Sequence, residues 1–540
     1  MAAFNEGGAI QGAVVGASHP PGAKTIEDEE PIKKEAWVLK KGGLRWQKRW
    51  FVLKHHGHQP GKLSYYHEQP GAEGGADEPK MSVIELDADV KVDLLPERKH
   101  ALSLIANSRA RKALKFQFES APEQEEWLAA LRCVIRRAIK LSEVAFAGTR
   151  WSIDPRYELT KLLGKGSYGC VVAARDTQAG ADVAIKKVEN VFVDAVDAKR
   201  ILREIRLMRH FRHPNLVRLH DVMEPPYVED FVDLYIVLDL MPTDLRKLLW
   251  DPKVHLTDEQ VQFFAYQLLC GVKYMGSAGV LHRDLKPENL LVDPATCTLR
   301  VCDLGLARAA HVAGDMHDEA PGDMTTYVVT RWYRAPELLL SAKRYTAAVD
   351  AWSCGVIVGE MLLSSGERPT PKPLLLPGRD VIHQIKLTAR LLGRPKKEEL
   401  WFVGNEGAVR FMMALPDRPP RPLAEVFPGA SATALDLVAK MLTFDPAKRC
   451  AAADALAHPY VKEWRDPDVE KPAGFYIDMD DIEALRLTKR NLQKMFFDEV
   501  LSIHRPQLAP PGLGLDASPA FSSRSMASTN SSPECSSRSL

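Results

Sequence analysis

Four strings occur in a fixed order along the middle of the chain: "LGKGSYGCVV" from Leu163, "VAIK" from Val183, "HRDLKPEN" from His282 and "DLG" from Asp303. The first holds Gly164, Gly166 and Gly169 in G-x-G-x-x-G-x-V spacing, with Val171 completing it, inside a β-pattern. Glycines let a hairpin lie close over phosphates, yet the same trio opens dinucleotide-binding units or merely marks turns. The residues downstream decide between them. No acidic ribose-binding signature comes next; instead Lys186 ends a second strand, where an ammonium can pair with phosphates. A stretch of helical period, "AKRILREIRLMRHFRHPN", then offers Glu204 to hold that lysine in place.

Moving a γ-phosphoryl group is mostly positioning and charge neutralisation. It needs two metal-holding oxygens, a cation on the phosphates and a carboxylate near the incoming hydroxyl. Asn289 and Asp303 supply the ligands for Mg2+, Asp284 orients the hydroxyl and accepts its proton, and Lys286, two residues on, contacts the transferring phosphate. Each residue alone reads as a satisfied polar group on a loop; the ordered set makes coincidence negligible.

Residues 157–460 resemble a eukaryotic protein kinase throughout. The resemblance implies an α+β, bilobal kinase fold with a small β-rich N-lobe and a larger helical C-lobe. It gives Leu163, Gly164, Gly166, Gly169, Val171, Lys186 and Glu204 as ATP-binding residues. "LYIVLDLMPTDLRKLL" looks like the hinge, with Leu238 as gatekeeper and the Asp239 and Met241 backbone holding adenine.

"MTTYVVTRWYRAPE" resembles the activation segment of mitogen-activated protein kinases. Phosphorylation adds close to two negative charges, which order a loop only where cations wait for them. The resemblance implies that an upstream dual-specificity kinase modifies Thr325 and Tyr327. Arg203, Arg283 and Arg308 would receive the first phosphate, and Arg331 and Arg334 the second. Thr330 would bond Asp284 and help shape a pocket for the proline after a target Ser or Thr. Arg449 would pair with Glu337, residues 461–507 would form a C-terminal extension of which 475–500 wraps back over the N-lobe, and Asp466, Asp468 and Glu470 would dock basic peptides. Four features depart from the pattern: Val469 replaces an acid in the docking run, Thr326 replaces the usual Glu, Gly or Asp between the switch residues, "KPEN" stands where a Ser is more usual, and the loop between Asp303 and Thr325 carries the additional "HVAGDMHDEAPG". A scaffold without catalysis and a cyclin-dependent-like kinase are the alternative readings.

At 540 residues the chain is too long for one hydrophobic core. Its net charge of +1 is uninformative, but residues 33–140 sum to about +7, so the positive charge sits in one segment. There "AWVLKK", "RWFVLK" and "KLSYYHE" read as strands, and "APEQEEWLAALRCVIRRAIK" as a helix burying Trp127, Leu128, Leu131 and Ile135. The pattern resembles a pleckstrin-homology domain, a small β-barrel or sandwich closed by a C-terminal helix. Lys40, Arg49 and Tyr66 fall where such domains hold phosphoinositide headgroups. Gln47 stands where a second basic residue is expected, which removes a charge-assisted contact. Membrane docking and a protein-binding or autoinhibitory role both remain open.

Residues 141–156 are expected to be a linker. Residues 1–32 and the Ser/Pro-rich 508–540 are expected to be disordered, since neither buries enough apolar surface to offset chain entropy. The eight scattered cysteines form no metal or disulfide framework, and the first thirty residues lack a signal pattern. The expectation is a cytoplasmic enzyme, recruited to nucleus or membrane on signalling, with no nucleic-acid partner.

Overall fold

The computed structural model describes residues 32–504 apart from 43–44, 56–60, 68, 70–80, 87–89, 96, 106–112, 138–140, 167–168, 226–230, 310–330, 341–345 and 366–372. Both stretches expected to be disordered thus lie outside the described residues, save Ile32. Contacts divide the chain into two compact units. The first is Met1–Ala181 with Lys187–Glu189 and Met223–Tyr235; the second is Asp182–Lys186 with Asn190–Val222 and Ile236–Leu540. Among the described residues no helix is long and apolar enough to cross a membrane.

The first unit begins with seven strands: β1 (Ile32–Gly42), β2 (Arg45–His55), β3 (Gly61–Tyr66), β4 (Met81–Leu86), β5 (Lys91–Leu94), β6 (Ala101–Ile105) and β7 (Leu114–Gln117). They form one sheet in the order β4-β3-β2-β1-β7-β6-β5. Helix α1 (Ala121–Arg137) follows, and Trp127, Leu131, Val134 and Ile135 on it are all 0% exposed, packed into one cluster with Phe51, Leu63 and Phe116. Each such burial contributes about 1.5–3 kcal/mol, which is why the stripe on α1 fixes how it lies on the sheet.

The stretch expected as a linker contains a hairpin, β8 (Ser142–Phe146) and β9 (Thr149–Ile153). Ala147 and Gly148 both have positive φ, 52° and 76°, as a two-residue type I′ turn requires. Trp151 is fully buried 5.8 Å from the Tyr235 ring, the Ser152 N–H donates to the Tyr235 hydroxyl at 3.0 Å, and Lys187 Nζ donates to the Arg150 carbonyl at 2.7 Å. These contacts tie the hairpin to the unit instead of leaving a free tether.

In the first unit strands β10 (Tyr157–Gly166) and β11 (Gly169–Asp176) pair antiparallel and are followed in the chain by β12 (Ala181–Val188), and in the second unit β13 (Leu219–Val222) pairs antiparallel with β14 (Leu234–Asp239). Helix α2 (Ala195–His210) is started by Asp194, whose carboxylate accepts from the Val196 and Asp197 amides, and carries Arg209 and His210 at its negative end. In the helical part, α3 (Leu245–Trp250) precedes α4 (Asp258–Ser277), which opens on a Thr257/Gln260 capping box. Short α5 (Pro336–Leu339) is followed by α6 (Ala348–Ser364), buried on nearly every side.

The last helix among the described residues, Lys489–His504, packs on α2. Phe192 and Phe496 meet at 5.8 Å, and Glu499 binds both Arg206 and Arg209. His210 closes α2 with Nδ1 2.7 Å from the Arg206 carbonyl; burial and the neighbouring Arg209 pull its pKa down to about 4. An unfolded histidine takes its proton near pH 6.5. Acidification from there to about pH 4 therefore protonates the unfolded chain first, and stability falls through that window. The loss is on the order of 3 kcal/mol at its lower end. Thermal melts of wild type and His210→Gln from pH 7 to 4 check this: the substitution should flatten the acid limb, and parallel limbs would contradict it.

Candidate active site

Strands β10 and β11 carry the three glycines. Gly164 pairs with Val171 and Gly166 with Gly169, with a register irregularity between Leu162 and Gly164. Gly169 is required by the backbone: at φ 130° a Cβ would sit 2.0 Å from the Lys187 carbonyl. Gly164 and Gly166 differ, because among the described residues nothing lies within 4 Å of where their Cβ atoms would be. Packing does not demand glycine there, whereas close approach by a ligand would.

In the second unit, Lys186 on β12 donates to both Glu204 oxygens at 2.9 Å. Burial penalises both charges. For Lys186 the carboxylates of Glu204 and Asp303 outweigh it and hold the pKa above its usual value; for Glu204 burial, aided by Asp303, prevails and pushes the pKa up. The Asp303 carboxylate therefore acts on the same charge pair.

The loop that carries the motif around Asp284 hangs from a residue that the sequence motifs did not include. Asp350, 2% exposed on α6, accepts the His282 amide at 2.7 Å and the Arg283 amide at 2.8 Å. Those bonds fix the left-handed turn at Arg283, whose φ is 69°. The available signal was a lone carboxylate inside the apolar run "AAVDAWSCGV", since buried acids are rare unless partnered.

Beyond the turn, Asp284 Oδ2 accepts Lys286 Nζ at 2.5 Å and Asn289 Nδ2 at 3.2 Å, while Asn289 Nδ2 also donates to the Asp284 carbonyl at 2.9 Å. Burial opposes the charge on Lys286, but Asp284 outweighs it and keeps the pKa raised. The Cys302 amide donates to the Asn289 carbonyl at 2.9 Å, which brings Asp303, at φ 64°, beside this loop in the chain's course.

With its NH2 turned toward Asp284, Asn289 keeps its amide oxygen for a cation, and Asp303 adds a carboxylate. This all-oxygen pair fits Mg2+. Among the described residues no group of three or more His, Cys, Asp or Glu could cage a metal, and Mg2+ needs none, since it usually keeps waters and takes substrate phosphates.

At the expected hinge, the Asp239 N–H donates to the Arg218 carbonyl at 3.2 Å. Its side chain accepts from His220 at 2.8 Å, the Arg218 amide at 2.9 Å and Arg300, and these outweigh burial to lower its pKa. Met241 lies two residues on in the chain.

Thr325, Tyr327 and Thr330 lie outside the described residues. The arginines expected to serve them are described. Burial, with Arg331 and Arg283 nearby, pushes the Arg334 guanidinium down in pKa while Asp284 pulls it up. Arg283 donates to the Leu306 carbonyl at 3.4 Å. Arg203 and Arg308 instead share the carboxylate of Glu483, at 2.8 and 3.6 Å.

Three expected sites are altered by their surroundings. Glu470 is 6% exposed and held by Arg465 at 2.7 Å, so the docking run offers Asp466 and Asp468 alone at its surface, with Asp468 engaging Lys471. On the N-terminal sheet, Lys40 pairs with Gln47 in register, so both share a face with Arg49, two residues on. Tyr66 pairs with Trp50 and therefore lies on the opposite face. The aromatic ring beside Lys40 is Tyr65, 4.4 Å from its Nζ. Arg49 is engaged by the Gln47 Oε1 at 2.6 Å.

Comparison with known proteins matches the protein kinase domain over residues 157–461 and the PH domain over 32–136. Mitogen-activated protein kinase 4a of Physcomitrium patens is 44% identical over 66% of this chain and 90% of its own length. The chain belongs to the mitogen-activated protein kinase family. Mitogen-activated protein kinase 6 of Arabidopsis thaliana is 44% identical over 63% of the chain and 82% of its own length. Extracellular signal-regulated kinase 1 of Dictyostelium discoideum is 43% identical over 66% of the chain, a stretch that spans 64% of that relative. The kinase thus carries a Ser/Thr protein kinase domain preceded by a PH domain, and kinases of this family use ATP.

Proposed function

We propose that this mitogen-activated protein kinase is proline-directed, uses Mg-ATP, and is switched on when an upstream dual-specificity kinase phosphorylates Thr325 and Tyr327. The observation that carries the chemistry is the arrangement of Asp284, Lys286 and Asn289 together with the Lys186–Glu204 pair. Asp284 receives the proton of a substrate hydroxyl and orients its oxygen, Lys286 neutralises charge on the phosphoryl group in transit, and Lys186, fixed by Glu204, holds the α- and β-phosphates. Mg2+, held by Asn289 and Asp303, supplies charge neutralisation on the phosphates when bound. Among the described residues no atom lies within 4 Å of where the Cβ atoms of Gly164 and Gly166 would be, which gives phosphate oxygens room to approach that backbone.

Clustered Arg283, Arg331 and Arg334 support the switch, because cations in one another's field favour an incoming anion. Thr330 bonding Asp284 belongs to the same proposal, as do cytoplasmic residence and signal-dependent recruitment to the nucleus or a membrane. For the PH domain, the engaged Arg49 and the misplaced Tyr66 favour a restraining or protein-binding role over phosphoinositide capture.

The test is phosphate transfer by doubly phosphorylated protein to a Ser-Pro peptide and its Ser-Ala counterpart. The Ser-Pro peptide should be preferred by roughly tenfold or more in kcat/KM. No transfer to either peptide refutes the kinase reading; equal transfer refutes proline direction.

A further inference from the structure

One stripe of α2 is pinned by carboxylates from the C-terminal extension. Lys199 and Arg203, one turn apart, both bind Glu483: Lys199 Nζ lies 3.0 Å from Oε2 and 2.8 Å from the Glu483 carbonyl, and Arg203 donates to Oε1 through Nε at 2.9 Å. The same oxygen lies 3.6 Å from Arg308, beyond Asp303 in the chain. Arg203 also donates to the Gly305 carbonyl at 3.3 Å. Arg206, the next residue of the stripe, binds Asp481 and Glu499. Glu483 therefore joins α2, Arg308 and the extension through a single carboxylate, and Arg203 links this group to the D-L-G segment at the Gly305 carbonyl.

Burial works against a charge on Glu483, yet Arg203, Arg308 and Lys199 outweigh it and hold its pKa below the usual carboxylate range, so it is ionised at neutral pH. Its neighbour in action is adjacent in sequence: Arg203 precedes Glu204, whose carboxylate holds Lys186 at 2.9 Å. An α2 that slipped or rotated would break that ion pair.

The geometry points to Glu483 as a positioning residue that supplies, from within the chain, the negative charge keeping α2 set and the Lys186–Glu204 pair closed while the activation-segment hydroxyls are unmodified. This rests on the kinase reading above, in which Arg203 and Arg308 were expected to wait for the Thr325 phosphate. The carboxylate on them gives the unmodified enzyme a basal activity, and phosphorylation makes that carboxylate less necessary.

The experiment uses the full chain, wild type and Glu483→Gln, each with Thr325 and Tyr327 unmodified after phosphatase treatment and each doubly phosphorylated, with occupancy verified by mass spectrometry. Transfer to the Ser-Pro peptide is measured in all four. Glu483→Gln should lower kcat/KM about tenfold in the unmodified form and less than about threefold in the phosphorylated form, with Glu483→Asp recovering part of the loss. Circular dichroism should show the same folded content throughout.

Equal losses in both forms would reduce Glu483 to a structural contact and overturn the inference. So would a gain in the unmodified form, which would make it a plug, or absent basal activity in unmodified wild type. If phosphorylated wild type itself transfers nothing, the kinase reading falls and takes the inference with it; transfer there without the selective loss overturns the inference alone.

Discussion

Asp303→Asn should abolish phosphate transfer to a Ser-Pro peptide, lowering kcat by about a thousandfold or more, the several kcal/mol that cation-borne charge stabilisation contributes. The substitution is chosen for its backbone as much as its charge. Asp303 sits at φ 64°, in the left-handed region that asparagine tolerates better than most residues, so the turn should survive. The amide matches the carboxylate in shape but offers a neutral oxygen where a cation is to be held. Lys186 loses one of the two acids that raise its pKa but keeps both 2.9 Å bonds to Glu204. An unchanged melting temperature with transfer lost is therefore expected. Full activity in the variant would remove Asp303 from the site, and absence of ATP turnover in phosphorylated wild type would favour a scaffold.

The parts of this enzyme that read directly from sequence are those where chemistry restricts residue type over short spans. Lys286 and Asn289 lie within five residues of Asp284, and α1 shows its buried stripe in its own period. What was hidden depends on partners far away. Asp350 meets amides 68 and 67 positions earlier, and Glu483 meets Arg203 across 280. Nothing in either local string names those partners.

The hairpin at 142–153 escaped for another reason. Its turn uses Ala147 at φ 52°, a residue that does not advertise a positive φ as asparagine would. Tyr66 shows how narrow the margin in a strand is: the step from Tyr65 to Tyr66 crosses to the other face of the sheet.

Arg449→Met should destabilise the catalytic unit by about 3–5 kcal/mol, because it strands a buried carboxylate. Arg449 and Glu337 are 0% and 1% exposed at their side chains, and the guanidinium grips both carboxylate oxygens at 2.6 and 3.0 Å. Its remaining donors reach the carbonyls of Ala348 at 2.7 Å, Thr443 at 3.0 Å and Phe444 at 3.3 Å, so one side chain ties α5, the start of α6 and the 443–444 turn together. Adding Glu337→Gln to Arg449→Met removes the stranded charge, and the pair should be less damaging than the sum of the two single changes by more than about 1 kcal/mol. Function should follow through position: Glu337 anchors the chain just after Arg331 and Arg334, so the single variant should raise KM for the peptide more than it lowers kcat. Denaturant melts of the four proteins decide it. Strict additivity would mean the ion pair is incidental and the carbonyl contacts alone hold the junction, since only a direct interaction between the two charges produces coupling of that size.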